Sequence, residues 1–238
     1  MSSEPMPQWS RRRILAVWAA AALPMAAIAW VVAPWWAADD GFELSKALIA
    51  GLAAGLVWQS LLVLGLVWHE RGSLRPAVVA DALWLRPPTE RRAWLVVALF
   101  AVPFLLAPAP DLPHSPHRDF AAFLQSDAGQ AFFHGNWAWY GVVVVLLVAN
   151  TVTGEELLFR GLLLPRMAGA FGRADWFVNG VLFAAYHLHT PWVIPGALLD
   201  ALWLAWPSRR WRSAWPGIVV HSTASVLVMV LLWPVVAG

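Results

Sequence analysis

Thr151-Val-Thr-Gly-Glu155-Glu156-Leu-Leu-Phe-Arg160-Gly161 is the stretch around which the chain is organised, and it follows the apolar run 142–149. Together they place two adjacent carboxylates and an arginine in a segment that is apolar enough to enter a membrane. A charged residue at the centre of a transmembrane helix costs roughly 2.5–3.5 kcal/mol on insertion scales. Such residues are therefore usually paired, exposed to a water-filled cavity, or functional. The alternative is a stop-transfer flank, in which the charges only mark the end of a span.

The composition is that of a membrane protein. Of the 238 residues, 60% are hydrophobic and 13% are charged, whereas soluble domains contain about 25% charged residues. A soluble two-layer fold would leave most of this apolar surface exposed. The net charge of +2 does not indicate nucleic-acid binding, because the arginines form short clusters between apolar spans, where the positive-inside rule predicts them. The chain contains no cysteine, which excludes disulfides, thiolate metal ligands and a thiol nucleophile.

The apolar segments predict an all-α, polytopic transmembrane bundle with about seven spans. The spans cover 14–38, 46–68, 93–108, 137 through the opening motif, 174–188, 192–206 and 215–237. With this count the arginine-rich segments 11–13, 71–92, 160–173 and 209–212 alternate with the arginine-poor loops 39–45, 109–136 and 189–191. The positive-inside rule then places the N-terminus in the cytoplasm and the C-terminus outside the cell membrane.

The buried-looking ionisable residues of the predicted spans all lie in the second half of the chain: Glu155, Glu156, Arg160, His187, Asp200 and His221. This asymmetry divides the sequence into a cytoplasmic tail (1–13), scaffold helices and loops (14–136) and a transmembrane core that builds the site (137–238). No internal repeat is visible, which argues against an inverted-repeat transporter. The longest loop holds His114, His117 and His134 at irregular spacing without a carboxylate motif, so we interpret them as loop histidines and not as metal ligands.

The two adjacent glutamates are expected to differ. Glu156 and Arg160 are four residues apart, so on an α-helix they can pair across one turn. Glu155 is rotated by ~100° from Glu156 by the 3.6-residue repeat and can face another side. The pattern therefore predicts one structural carboxylate and one free carboxylate, and the free one suits a general base or acid.

Two histidines in later spans can complete a site with Glu155. His187 lies on the fifth predicted span and His221 on the seventh, with Ser225 one turn after His221. If they converge, they supply a general base, a water partner and a donor for a developing oxyanion. Two histidines and a carboxylate are also a complete zinc triad, although the HExxH spacing is absent. Asp200 is expected to pair with an interfacial arginine.

The depth of these residues in the membrane requires irregular helices. Regular spans would leave Glu155 close to the arginine-rich face and His187 deeper in the bilayer. Tilted or broken helices around a water-filled cavity bring them to one depth. We expect this cavity to open to the cytoplasm, on the arginine-rich side.

Three short motifs resemble those of a known family of membrane proteases. In chain order they are Glu155-Glu156-x-x-x-Arg160, Phe183-x-x-x-His187, and His221 followed four positions later by a polar residue. They are similar to the CAAX-protease and bacteriocin-processing family of intramembrane glutamic endopeptidases, also called the ABI family, which includes CAAX prenyl protease 2. The resemblance covers roughly residues 137–232.

The resemblance implies a role for each motif residue and no essential metal or other cofactor. Glu155 would activate water with help from His187, and His221 with Ser225 would form the oxyanion hole. The remaining motif residues, Glu156 and Arg160, would hold the first motif in place. The family usually has Asn where this chain has Ser225, so the resemblance implies a weakened oxyanion contact or one made by His221 alone.

The sequence therefore predicts an intramembrane endopeptidase that hydrolyses a peptide bond in or near the membrane by water attack. Its partners would be a membrane-protein or peptide substrate and the lipid bilayer. The CAAX label implies prenylated C-termini for some relatives, although the sequence itself indicates no lipid pocket. Two other interpretations stay open: a non-catalytic membrane immunity or partner protein on the same scaffold, and a zinc-dependent membrane hydrolase.

Overall fold

The computed structural model describes residues 6–37, 42–106 and 112–238, and all regular structure in these ranges is helical, as the sequence predicts. The α-helices are α1 (Arg11–Ala27), α2 (Ala33–Trp36), α3 (Phe42–Arg71), α4 (Pro76–Ala82), α5 (Arg91–Leu106), α6 (Phe120–Gln125), α7 (Asp127–Phe133), α8 (Trp137–Val148), α9 (Ala168–Phe171), α10 (Asp175–Tyr186), α11 (Ile194–Ala197), α12 (Trp206–Trp211) and α13 (Trp215–Ala237). Three π-helical stretches cover Ile28–Val32, Ala149–Leu163 and Ala201–Ala205. Much of the predicted acidic loop and the end of the third predicted span lie outside the described residues.

Within the described residues, four helical units are long and apolar enough to cross a membrane: Arg11–Trp36, Glu43–Arg71, Trp137–Arg166 and Trp215–Ala237. They correspond to the first, second, fourth and seventh predicted spans. The described parts of the other three are shorter: α5 has 16 residues and α10 has 12. At 1.5 Å per residue these helices reach ~24 and ~18 Å, less than a hydrocarbon core of about 30 Å. The expected count of about seven spans is therefore not confirmed, nor is the orientation of the N-terminus.

Three of the arginine-rich segments meet at one end of the bundle, around Glu70 at the end of α3. Glu70 accepts hydrogen bonds from Trp9 Nε1 at 2.6 Å, from Arg13 at 3.2 Å and from two nitrogens of Arg166 at 2.7 and 2.9 Å. Arg166 is fully buried and also donates to the carbonyl oxygen of Ala82. One carboxylate thus joins the N-terminal segment, α3 and the residues that follow the opening motif.

Replacing Glu70 by glutamine is expected to destabilise the fold by about 3–5 kcal/mol, because it leaves the buried Arg166 charge without its partner. The measurement is SDS-induced unfolding in mixed micelles, followed by tryptophan fluorescence. Glu90→Gln is the matched control, since Glu90 is exposed and accepts a bond from Trp211 Nε1 at 3.3 Å. Equal stability of the two variants would contradict the expectation.

The π-helical stretch Ala149–Leu163 forms the centre of the interior. It packs against both α3 and α13, and ten of its 15 residues are buried. Gly154 allows α3 to approach, because a Cβ at this position would lie 2.7 Å from Leu56 and 3.2 Å from Gln59 Oε1. The stretch therefore carries its charged side chains on a closely packed support.

Candidate active site

A cavity of about 720 Å³ contains Glu155, His187 and His221. These side chains come from three separate segments: the π-helical stretch, the turn that follows α10, and α13. The rim includes Leu112, in the arginine-poor loop 109–136, and Trp192, which directly follows the arginine-poor loop 189–191. None of the described residues that line the cavity comes from the arginine-rich segments 71–92, 160–173 or 209–212. The cavity thus faces away from the arginine-rich end, contrary to the expected opening towards that side.

Glu156 and Arg160 form the ion pair that their spacing predicts. Glu156 Oε1 and Arg160 Nη1 are 3.2 Å apart, and both side chains are fully buried. The guanidinium also lies over the Phe183 ring, 4.1 Å from its centre, which provides a cation–π contact. Gly217 on α13 makes room for the pair, because a Cβ there would collide with Glu156 Oε2. The arginine therefore anchors the first motif against α10 and α13.

His221 lies between the two glutamates. Its Nδ1 donates to Glu156 Oε1 at 3.0 Å, while its Nε2 is 3.5 Å from Glu155 Oε2. The sequence predicted that the glutamates would face different partners, but both carboxylates contact this one ring. The 3.6-residue repeat does not apply here, since π-helical bonding from residue i to i+5 changes the angle between neighbouring side chains.

His187 faces Glu155 with a defined nitrogen. Its Nδ1 is 3.0 Å from the carbonyl oxygen of Phe183, and because a carbonyl only accepts, Nδ1 is the protonated nitrogen. In the neutral ring Nε2 then carries the lone pair, 3.9 Å from Glu155 Oε1. This distance is too long for a direct hydrogen bond. The spacing of Glu155 and His187 thus suits a small third group that forms a hydrogen bond with each of them.

The structure does not bring Ser225 to this cavity. Its hydroxyl forms a hydrogen bond of 2.8 Å with Thr151 Oγ1, and Ser225 is not among the cavity-lining residues. Polar residues that the motifs did not indicate line the cavity instead, among them Asn150 and Asp200. Asn150 precedes Glu155 by five residues, and α-helical spacing gave no signal for it.

The expected pairing of Asp200 with an interfacial arginine is not seen among the described residues. Arg160 pairs with Glu156, and Arg209 pairs with Asp175. Asp200 instead presents a carboxylate to the same cavity as Glu155. The cavity is therefore more acidic than the motifs alone indicated.

His114 of the longest loop lies at the rim of the cavity. Among the described residues, no group of three or more histidine, aspartate or glutamate side chains is arranged to hold a metal ion. His114 stacks on Trp192 with ring centres 4.8 Å apart, and Trp192 Nε1 donates to Asp119 at 3.0 Å. These contacts hold the loop against the rim of the cavity.

A second, more apolar cavity of about 240 Å³ adjoins the first. Its walls include apolar side chains of α3 and α8, such as Leu52, Leu56 and Val143. The two cavities share a boundary formed by three residues: Asn150, His189 and Thr190. A polar site thus lies beside a space suited to an apolar group, which the sequence did not indicate.

The fold and the site define a class, that of helical membrane proteins with a buried carboxylate–histidine centre. Within it, residues 135–227 match the family model described as "Type II CAAX prenyl endopeptidase Rce1-like". The matched residues contain all three motifs, which confirms the resemblance. The match spans 93 of the 238 residues. Neither the curated proteins nor the solved structures compared with the chain give a match.

Proposed function

We propose that the protein is a CAAX-protease-type intramembrane endopeptidase that hydrolyses a peptide bond with water activated by Glu155 and His187. The observation that carries this proposal is the meeting of Glu155, His187 and His221 from three segments at one cavity. Ionisable residues inside membrane segments are functional candidates by default. The family match covers the same residues and supports the same reaction class.

Glu155 is the proposed general base. The 3.9 Å between its Oε1 and Nε2 of His187 suits one bridging water molecule. Glu155 takes a proton from this water while the water oxygen attacks the substrate carbonyl carbon, and His187 Nε2 accepts a hydrogen bond that orients it. The proton then passes from Glu155 to the amide nitrogen, and the C–N bond breaks to give a carboxylic acid and an amine.

His221 is the proposed donor to the oxyanion. Because its Nδ1 proton is engaged by Glu156, the proton offered to the cavity is the Nε2–H of the doubly protonated ring. With Glu155 and Glu156 ionised and Arg160 and His221 protonated, the charges of these four residues sum to zero. Such balance is what a buried cluster of charges requires.

The proposed reaction proceeds without an acyl-enzyme. The chain has no cysteine, and the Ser225 hydroxyl is bonded to Thr151 outside the cavity lining. Water between Glu155 and His187 is the proposed nucleophile. The oxyanion role that the resemblance implied for Ser225 stays a prediction.

For the substrate, we propose a membrane-associated peptide with an apolar group close to the scissile bond. The apolar cavity next to the site supports this choice, because burial of apolar surface stabilises binding by about 25 cal/mol per Å². A prenyl group at a C-terminal CAAX sequence has this character, and it agrees with the description of the matching family.

The test uses the purified full-length protein in liposomes and two peptides that end in the same CAAX sequence, one prenylated and one not. Mass spectrometry of the products is expected to show cleavage of the prenylated peptide by the wild type. Glu155→Gln is expected to reduce the rate by about 10²- to 10⁴-fold, while Glu90→Gln, at an exposed glutamate, leaves it unchanged.

Each alternative has its own outcome in this experiment. Cleavage by Glu155→Gln at the wild-type rate would overturn the proposal, and failure of the wild type to cleave either peptide would favour a non-catalytic partner protein. Activity that disappears with a chelator and returns with zinc would favour the zinc-dependent hydrolase. Equal cleavage of the two peptides would reject the prenyl group but retain the endopeptidase.

A further inference from the structure

Asn150 is a polar residue of the catalytic cavity to which neither the motifs nor the family match assigns a role. It lies at the start of the π-helical stretch and borders both cavities. Glu155, five residues later on the same stretch, lines the larger of these cavities with it. An amide is an unusual side chain to leave inside a predicted span unless it has a polar partner.

The placement of Asn150 on the same side as Glu155 depends on the π-helical winding. In an α-helix, residues five apart differ by ~140° around the axis, because each residue turns by ~100°. In a π-helix the backbone bonds join residue i to residue i+5, so residues five apart lie one above the other. The winding of Ala149–Leu163 thus places the amide on the same face as the proposed base.

The histidines do not hold Glu155 in place by direct hydrogen bonds. His221 Nε2 is 3.5 Å and His187 Nε2 is 3.9 Å from its oxygens, at or beyond the limit for such a bond. The hydroxyl of Ser225 is bonded to Thr151, and Arg160 is paired with Glu156. Of these four described neighbours, none donates a direct hydrogen bond to the Glu155 carboxylate.

We propose that Asn150 is a positioning residue that donates an amide N–H to Glu155 and holds its carboxylate towards His187 and His221. This inference rests on the proposed function and goes beyond it. An amide donor orients a carboxylate without adding a charge, so the base keeps its negative charge for proton abstraction. Catalytic groups need to be held within about 0.5 Å and 10–20° of the productive geometry, and a donor on the same helix face provides such support.

The test compares Asn150→Asp, Asn150→Ala and Asn150→Gln with the wild type, using the prenylated CAAX peptide. Asp has the shape of Asn but no N–H donor at neutral pH, and it turns a second carboxylate towards Glu155. We expect kcat to fall about 10- to 100-fold for Ala, as for loss of a hydrogen bond to a charged group, and further for Asp. Gln keeps the amide and is expected to retain more activity than Ala. KM should change less than threefold in all three variants.

Asn136→Asp is the matched control. Asn136 caps α8, where its side chain accepts from the backbone N–H of Trp139 and its amide donates to the Phe132 carbonyl oxygen at 3.2 Å. Asp serves equally well as an N-cap, so this variant loses an amide donor as Asn150→Asp does, but away from the cavity. Unfolding temperature and size-exclusion elution of every variant show whether the fold is retained. If Asp does not fold, the comparison of Ala with Gln decides the question.

The possible failures of this inference and of the proposed function are distinguishable. If Glu155→Gln is inactive while Asn150→Asp and Asn150→Ala cleave within twofold of the wild type, the positioning role is wrong and the proposed function stands. A rise in KM with unchanged kcat would make Asn150 a substrate-binding residue and would also overturn the inference. If Glu155→Gln is fully active, the proposed function itself is wrong.

Discussion

Replacing His187 by glutamine is expected to lower kcat of the proposed peptidase by about 10²- to 10⁴-fold, the usual contribution of a general acid–base group. Glutamine removes the imidazole Nε2 that faces Glu155 but keeps a neutral, polar side chain of similar size. The fold should therefore persist while the water partner is lost. Initial rates of peptide cleavage in liposomes, measured over a range of substrate concentrations, separate kcat from KM.

His134→Gln is the matched control for this variant, because His134 is an exposed histidine that does not line either cavity. It should keep the wild-type rate. A His187→Gln protein with kcat within threefold of the wild type would show that Glu155 activates water without this ring. A large rise in KM with unchanged kcat would instead assign His187 to substrate binding.

Replacing Glu156 by glutamine is expected to have the largest effect on stability within the site. Arg160 is fully buried and pairs with Glu156, so removal of the carboxylate charge leaves an uncompensated cation. Loss of one partner of a buried pair typically destabilises a protein by about 3–5 kcal/mol. SDS-induced unfolding in mixed micelles, with tryptophan fluorescence as the signal, measures the change.

Two comparisons make the result specific to the buried pair. Glu43→Gln removes the carboxylate of an exposed ion pair with Lys46 on α3, and such pairs contribute at most about 1 kcal/mol. The double variant Glu156→Gln with Arg160→Met removes both charges and should recover part of the lost stability, because the two residues are coupled. A double variant as unstable as the sum of the single variants would show that the pair itself is not the cause.

The sequence was sufficient for the helical fold class and for the meeting of the three main site residues. Charges are costly inside a membrane, so Glu155, His187 and His221 stand out from an apolar background, and the structure brings them to one cavity. The pairing of Glu156 with Arg160 was also predictable from their spacing. The roles of these residues stay predictions until the variants are measured.

Details that depend on local backbone geometry were not predictable. The α-helical repeat predicted separate surroundings for the two glutamates and gave no signal for Asn150, because the stretch 149–163 winds as a π-helix. Ser225 was expected beside His221 from its spacing, but its hydroxyl finds a closer partner in Thr151. Hydropathy cannot distinguish a spanning helix from an equally apolar 12-residue helix followed by a turn, as at α10.

The winding of Ala149–Leu163 also limits how this segment can change in evolution. Deleting one residue between Asn150 and Glu155 would return the local chain to an α-helical register and rotate everything beyond the gap by ~100°. Substitutions at intervening positions leave the register intact. Selection should therefore preserve the length of this interval more strictly than its sequence. In an alignment of active relatives, gaps are expected in the loops and absent between these two positions.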